Sequence, residues 1–163
     1  VPAMKNIWYF SGTLDLLFFD LLSKWLAFNN LQEPITVIKN VLVLRVSENP
    51  NIAFSLPVPG RLVAIITPLI LFGVFWYIKK SGGFEYKLTK IAVMLLFAGG
   101  LGNFINRIWT GSVIDFIDFS FWPSFNLADI YITLGVFLIL LFYGRMDRSL
   151  NSQIHQIHGE SKQ

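Results

Sequence analysis

Four stretches of the chain are apolar over most of the roughly 17–25 positions that a membrane-crossing helix takes. They cover residues 7–28, 62–78, 88–108 and 127–143. Pro68 falls inside the second and predicts a kink there, tolerable where neighbouring helices satisfy the freed carbonyl. Between the first two spans the pattern changes. Residues 34–58 are rich in β-branched side chains and alternate roughly, with Val37, Lys39, Val41, Val43 and Arg45 sharing one parity. That is a strand signal, with a turn expected at Glu48-Asn49-Pro50-Asn51. The tail, residues 151–163, is polar and expected to be disordered. The pattern predicts an α-helical integral membrane protein with four transmembrane helices, a small extracytoplasmic β-sheet and one domain over residues 1–150.

Composition agrees with lipid as the solvent. The 163 residues are 54% hydrophobic and only 14% charged, where soluble chains carry roughly 25% charged residues. The net charge of +3 is small, and it leaves no nucleic-acid footprint. Its placement is informative. Lys79, Lys80, Lys87 and Lys90 fall between spans two and three, Lys5 precedes span one, and Arg145 and Arg148 follow span four. An excess of basic residues marks the cytoplasmic side, so both termini are expected there. The connections 29–61 and 109–126 are then extracytoplasmic. Cysteine is absent, which excludes disulfide scaffolds, thiol nucleophiles and thiolate metal sites. Val1-Pro2-Ala3 reads as foreign to a natural start at Met4. The apolar run after Lys5 contains Asp15, Asp20 and Lys24, so it reads as a retained helix rather than a cleaved signal peptide.

Ionisable groups inside a membrane are costly and are functional candidates by default. Asp20 and Lys24 lie four apart on span one, hence on one helical face, as an ion pair bracing the bundle or as part of a site. Gly99, Gly100 and Gly102 read as a close helix contact. Asn103 and Arg107 share a face at the outer end of span three, next to Asn106. The guanidinium could snorkel or hold a carboxylate. In "VIDFIDFSFWPSFNLAD", residues 113–129, three aspartates stand among apolar residues. Asn126 is a good N-cap for span four and puts Asp129 at the capping-box position. Asp118 reads as a solvated loop acid. Asp115, between Ile114 and Phe116, should have its pKa raised by desolvation. Two carboxylates in unlike environments can share a proton and activate water. No HExxH or GxSxG motif is present, and the only histidines, His155 and His158, lie in the tail. The competing reading is a non-enzymatic carrier or ion pathway, with Asp15, Asp20, Lys24 and Asp129 as a polar track. No internal repeat supports it.

The blocks "FDLLSK" (19–24), "ENPNIAFSL" (48–56), "GGLGNFINR" (99–107), "GSVIDFIDF" (111–119) and "FNLAD" (125–129) occur together and in this order. In them the chain resembles the bacterial lipoprotein signal peptidases (signal peptidase II), integral-membrane aspartic endopeptidases of the inner membrane. The resemblance implies that Asp115 and Asp129 are the catalytic pair. It points likewise to Asp20, Lys24, Asn49, Asn103, Arg107 and Asn126 as residues lining or bracing the site. Asn51 stands where the family usually has the glycine that lets backbone approach substrate. Asn106 stands where Asp is common, and Leu21 where Gln is usual. The family pattern further implies a β-cradle and a lid-like outer segment. The implied partners are diacylglyceryl prolipoproteins, membrane lipids and globomycin-like cyclic-peptide inhibitors, with no cofactor and no metal. Cleavage would fall just before the lipidated cysteine.

Overall fold

The structure, a computed structural model, describes residues 2–50 and 59–142. Asn51, the distal part of the expected outer β segment, Arg145, Arg148 and the tail fall outside the described residues. In chain order the elements are α1 (Pro2–Asn30), β1 (Ile35–Ile38), β2 (Leu42–Asn49), α2 (Gly60–Lys80), α3 (Lys87–Thr110), β3 (Val113–Phe119), β4 (Trp122–Phe125) and α4, described over Leu127–Phe142. A single 3₁₀ turn, Gly83–Glu85, joins α2 to α3. Helix α2 runs unbroken through Pro68.

The helices run alternately up and down. Lys90 sits over the ring of Tyr9, and Lys24 reaches Asn103, so α1 and α3 lie side by side in the same direction. Phe75 meets Phe97 while Leu71 packs on Gly100, which makes α2 antiparallel to α3. Helix α4 is antiparallel as well, with Ala128 against Gly99 and Gly135 against Ala92 and Leu96. The glycines serve close approach, as their spacing suggests. A Cβ on Gly99 would overlap the Ala128 carbonyl, and one on Gly102 would overlap the Asp20 carboxylate.

The exterior is apolar. Trp8, Phe18 and Trp25 of α1, Ile65, Leu69 and Phe72 of α2, and Phe137 and Leu140 of α4 are all exposed. A water-soluble chain hides such faces, whereas lipid does not penalise them. Helices α2 and α3 are long and apolar enough to cross a bilayer. Small residues and polar groups fill the interior instead, with Ala64, Ala92, Ala98 and Ala128 buried alongside Asp20, Lys24 and Asn126.

The strands form one antiparallel sheet, ordered β1-β2-β3-β4, at the end of the bundle opposite Lys79 and Lys90. Two expectations about it change. The chain reverses between β1 and β2 at Asn40, whose φ of 60° is left-handed, and Glu48 and Asn49 of the expected turn are strand. Strand β2 continues through Glu48 and Asn49 because they pair with Ile114 and Val113. In addition, Val113–Phe119 is not loop but a central strand. A β-bulge interrupts its pairing with β2, where Arg45 and Val46 oppose the single residue Phe116, between the pairs Leu44–Ile117 and Ser47–Asp115. Bulges of this kind re-aim side chains beside functional sites.

Candidate active site

At the sheet end, β3 and the start of α4 each deliver one carboxylate to a cavity of about 240 Å³. Asp115 and Asp129 line it together with Asn49, Asn103, Arg107, Trp122 and Phe125. Helix α3 stops at Gly111, whose left-handed φ of 78° turns the chain and lets its N–H reach the Arg107 carbonyl. Two residues later β3 begins. Its start is pinned by buried Asn106, whose Oδ1 accepts the Ile114 N–H at 2.8 Å. Asn106 braces the site in a way the sequence reading did not assign. The available signal was its place one turn from Asn103, on the same side of α3.

Asp129 has the capping geometry expected from its spacing. Its N–H donates to Asn126 Oδ1 at 3.1 Å, while its own Oδ2 accepts the Asn126 N–H at 3.2 Å. This reciprocal pair is a capping box at the N-terminus of α4. A second acid serves the same helix end. Asp20 Oδ1 accepts the Ala128 N–H at 2.9 Å, so α1 is fastened to the first turn of α4.

The side-chain network follows from one fixed point. Lys24 is 2% exposed and can only donate. Its Nζ donates to Asp20 Oδ2 and to Asn103 Oδ1, both at 2.8 Å. The amide of Asn103 is thereby oriented: its oxygen faces Lys24, and its Nδ2 donates to Asp129 Oδ1 at 2.8 Å. Asn126 Nδ2 donates to Asn103 Oδ1 at 3.3 Å and to Asp115 Oδ1 at 2.6 Å. Asn49, at the end of β2, donates to Asp115 Oδ2 at 3.2 Å. Arg107 donates through Nη1 to the Asn103 carbonyl, and its charge acts on both aspartates. Asp20, Lys24, Asn49, Asn103, Arg107, Asn126 and the two aspartates thus form one connected cluster.

Asp115 is 2% exposed. Burial is the largest influence on its carboxyl, followed by the charge of Asp129, and together they push its pKa up to about 6. The hydrogen bonds from Asn49 and Asn126 and the charge of Lys24 act in the opposite direction and are outweighed. An acid of raised pKa beside a second carboxylate is suited to holding a shared proton.

Two aspartates lie elsewhere. Asp118 is on β3, three residues from Asp115 and hence on the opposite face, where it pairs with Arg45. It is a strand residue in an ion pair, not a solvated loop acid. Asp15 is on an exposed face of α1, away from the cluster that Asp20, Lys24 and Asp129 share. Asp20, Lys24 and Asp129 are gathered at one end and Asp15 stands apart, so these four do not form a track across the bundle.

The sequence profile described as "Signal peptidase (SPase) II" matches residues 13–144. The lipoprotein signal peptidase of Chlorobium phaeovibrioides is 34% identical over 155 residues, 85% of this chain and 91% of its own. That of Chlorobaculum tepidum is 37% identical over 145 residues, 78% and 88% of the two chains. That of Staphylococcus aureus is 35% identical over 147 residues, 82% and 88%. Two solved structures, each a bacterial membrane enzyme determined by the in meso method, have the same fold. One superposes with a TM-score of 0.72 at 29% identity, covering 84% of this chain and 87% of its own. The other gives 0.68 at 30% identity, covering 82% and 90%.

Proposed function

The chain belongs to the signal peptidase II family, and from that premise we propose that it removes signal peptides from diacylglyceryl-modified prolipoproteins, cutting just before the lipidated cysteine with Asp115 and Asp129 as catalytic pair. The observation that carries the assignment is that both carboxylates line one cavity and are tied to the same residue, Asn126.

The chemistry follows from the two environments. The pair holds one proton, seated on Asp115. Water entering the cavity gives a proton to Asp129 as its oxygen attacks the scissile carbonyl. Asp115 donates its proton to the carbonyl oxygen, so a neutral tetrahedral intermediate forms. On collapse Asp115 recovers that proton, Asp129 gives its own to the departing amine, and the C–N bond breaks. Arg107, on the cavity wall, stabilises the negative charge that develops. Asp20, Lys24, Asn49, Asn103 and Asn126 hold the pair in place. Asn51 follows β2 closely enough in sequence to serve substrate binding.

Helices α1–α4 are read as four spans of one membrane-embedded domain, residues 1–150. Asp20 and Lys24 of α1 support this, since they neutralise each other inside the bundle. The basic end marks the cytoplasmic side of the bacterial inner membrane. The tail and both termini are then cytoplasmic, and the sheet, the site and the lid-like outer segment face outward.

The deciding experiment gives the purified protein a diacylglyceryl prolipoprotein and the same precursor without lipid. The expected products are a free signal peptide and a chain beginning at the lipidated cysteine, from the first substrate only. A globomycin-like cyclic peptide should block the reaction. Equal cutting of the unlipidated precursor, or cleavage at another bond, would refute the reading.

A further inference from the structure

At the other end of the bundle lies a groove of about 610 Å³ that the peptidase chemistry does not use. We propose that it binds an anionic phospholipid of the cytoplasmic leaflet, an assignment that rests on the membrane orientation given above. Tyr9, Phe10 and Leu14 of α1 form one wall, and Phe75 of α2 with Phe84 of the 3₁₀ turn forms the other. Val93, Met94, Phe97 and Leu101 of α3 also line it. From Lys90 to Leu101 the helical rise is about 16 Å, enough for much of an acyl chain. The walls open sideways toward lipid, since Phe10 and Leu14 are exposed.

The mouth supplies the charge. Lys79, in the last turn of α2, and Lys90, in the first turn of α3, are the two charged residues lining the groove. Lys90 is held 5.6 Å over the Tyr9 ring. The left-handed turn at Gly82 brings Phe84 round to pack on Phe75 at 5.2 Å, which closes the groove beside the lysines. A cationic mouth on an apolar trough of membrane depth complements an anionic headgroup with its acyl chain. It disfavours the other apolar occupant at hand, a substrate's signal segment, because such segments carry a basic amino end that would face the same two lysines.

Native mass spectrometry of the purified protein, titrated with phosphatidylglycerol and with phosphatidylcholine of matched chains, tests this. Phosphatidylglycerol should be retained more tightly. The Lys79→Gln/Lys90→Gln double variant should lose about thirtyfold in that affinity, the weight of two lysines near an anionic headgroup. Leu14→Trp, which fills the trough and keeps the charge, should weaken both lipids. Both variants should cleave prolipoprotein at the normal rate in neutral detergent, and Asp115→Asn should still retain phosphatidylglycerol. Lipid binding and peptidase activity can therefore fail separately. Equal retention of the two lipids, unchanged retention by the double variant, displacement by glycerol phosphate, or displacement by a signal-segment peptide would each overturn the proposal.

Discussion

Asp129 sits in the first turn of α4, where a backbone amide and the Asn103 amide donate to its two oxygens. Asp115 sits on the central strand β3 with side-chain amides on both oxygens and almost no solvent. The helix end would favour a carboxylate there whatever the function. The strand site does not favour its carboxylate, because burial and the neighbouring acid outweigh the donors. One partner is seated by the fold, and the other is held against it. Asparagine substitutions should separate these two conditions while treating activity alike. Asp115→Asn and Asp129→Asn should each lower kcat by at least about 10³-fold, since on the proposed mechanism each removes a proton-transfer group. Their stabilities should move in opposite directions. An acid with a raised folded pKa contributes stability below its unfolded value of 3.8 and loses it as pH rises through about 6. At pH 7 its charge costs about 3 kcal/mol, and reversing one amide contact returns about 1–2 of that. Asp115→Asn should therefore gain about 1–2 kcal/mol at pH 7, whereas Asp129→Asn, which breaks the capping box, should lose about 1–2. Urea unfolding in matched detergent at pH 7 reads both. Two losses of equal size would erase the contrast.

Asn103 joins the two seats, so removing it should disturb both. Asn103→Leu deprives Lys24 and Asn126 of their acceptor and Asp129 of a donor. A buried ammonium short of a partner is costly. The variant should unfold about 2–4 kcal/mol more easily and lose about 10–100-fold in kcat with little change in KM. A KM rise with kcat intact would mean that Asn103 contacts substrate instead of positioning the pair.

The helix seat was legible in the sequence and the strand seat was not. Asn126 and Asp129 stand three apart at the start of an apolar run, which is a local rule of hydrogen bonding and so readable from one segment. Asp20 and Lys24 obey another local rule. Asp115 obeys no such hydrogen-bonding rule: its apolar flanks predict the raised pKa, but its donors come from Asn49 of β2 and from Asn126, and neither pairing can be read from its own segment. Strand β3 itself reads as loop in the sequence because Asp115 and Asp118 face opposite ways and blur the period-two pattern. The reversal at Asn40 carries a weaker turn signal than Asn49-Pro50, although Asn49 is held in β2 by its pairing with Val113. The spacing on α3 places Asn106 beside Asn103, but its partner, the backbone of β3, is not readable from α3 alone.

The strand seat should also respond to pH. On the proposed mechanism Asp115 donates to the carbonyl only when protonated, so kcat/KM should fall as pH rises through about 6. The Asn49 hydrogen bond holds that pKa down. Asn49→Ala should therefore move the descending limb to higher pH, by about one unit at most given the worth of one hydrogen bond to a charged group. A limb that stays in place would show that Asn49 does not tune the pair, and one that moves to lower pH would reverse the sign argued here.

The smallest effect is expected at Asp118, and it tests whether the strand or the burial distinguishes Asp115. The two share β3 but not a face, and Asp118 pairs with Arg45, whose side chain is 56% exposed. An ion pair with one partner so open to solvent is worth about 0–1 kcal/mol. Asp118→Asn should thus lose less than about 1 kcal/mol and leave cleavage and its pH profile as they are. If it instead stabilised the protein as Asp115→Asn should, the strain would belong to carboxylates on this sheet in general. If it abolished cleavage, the third aspartate would have to be counted with the pair, and the division of labour between strand and helix would need to be redrawn.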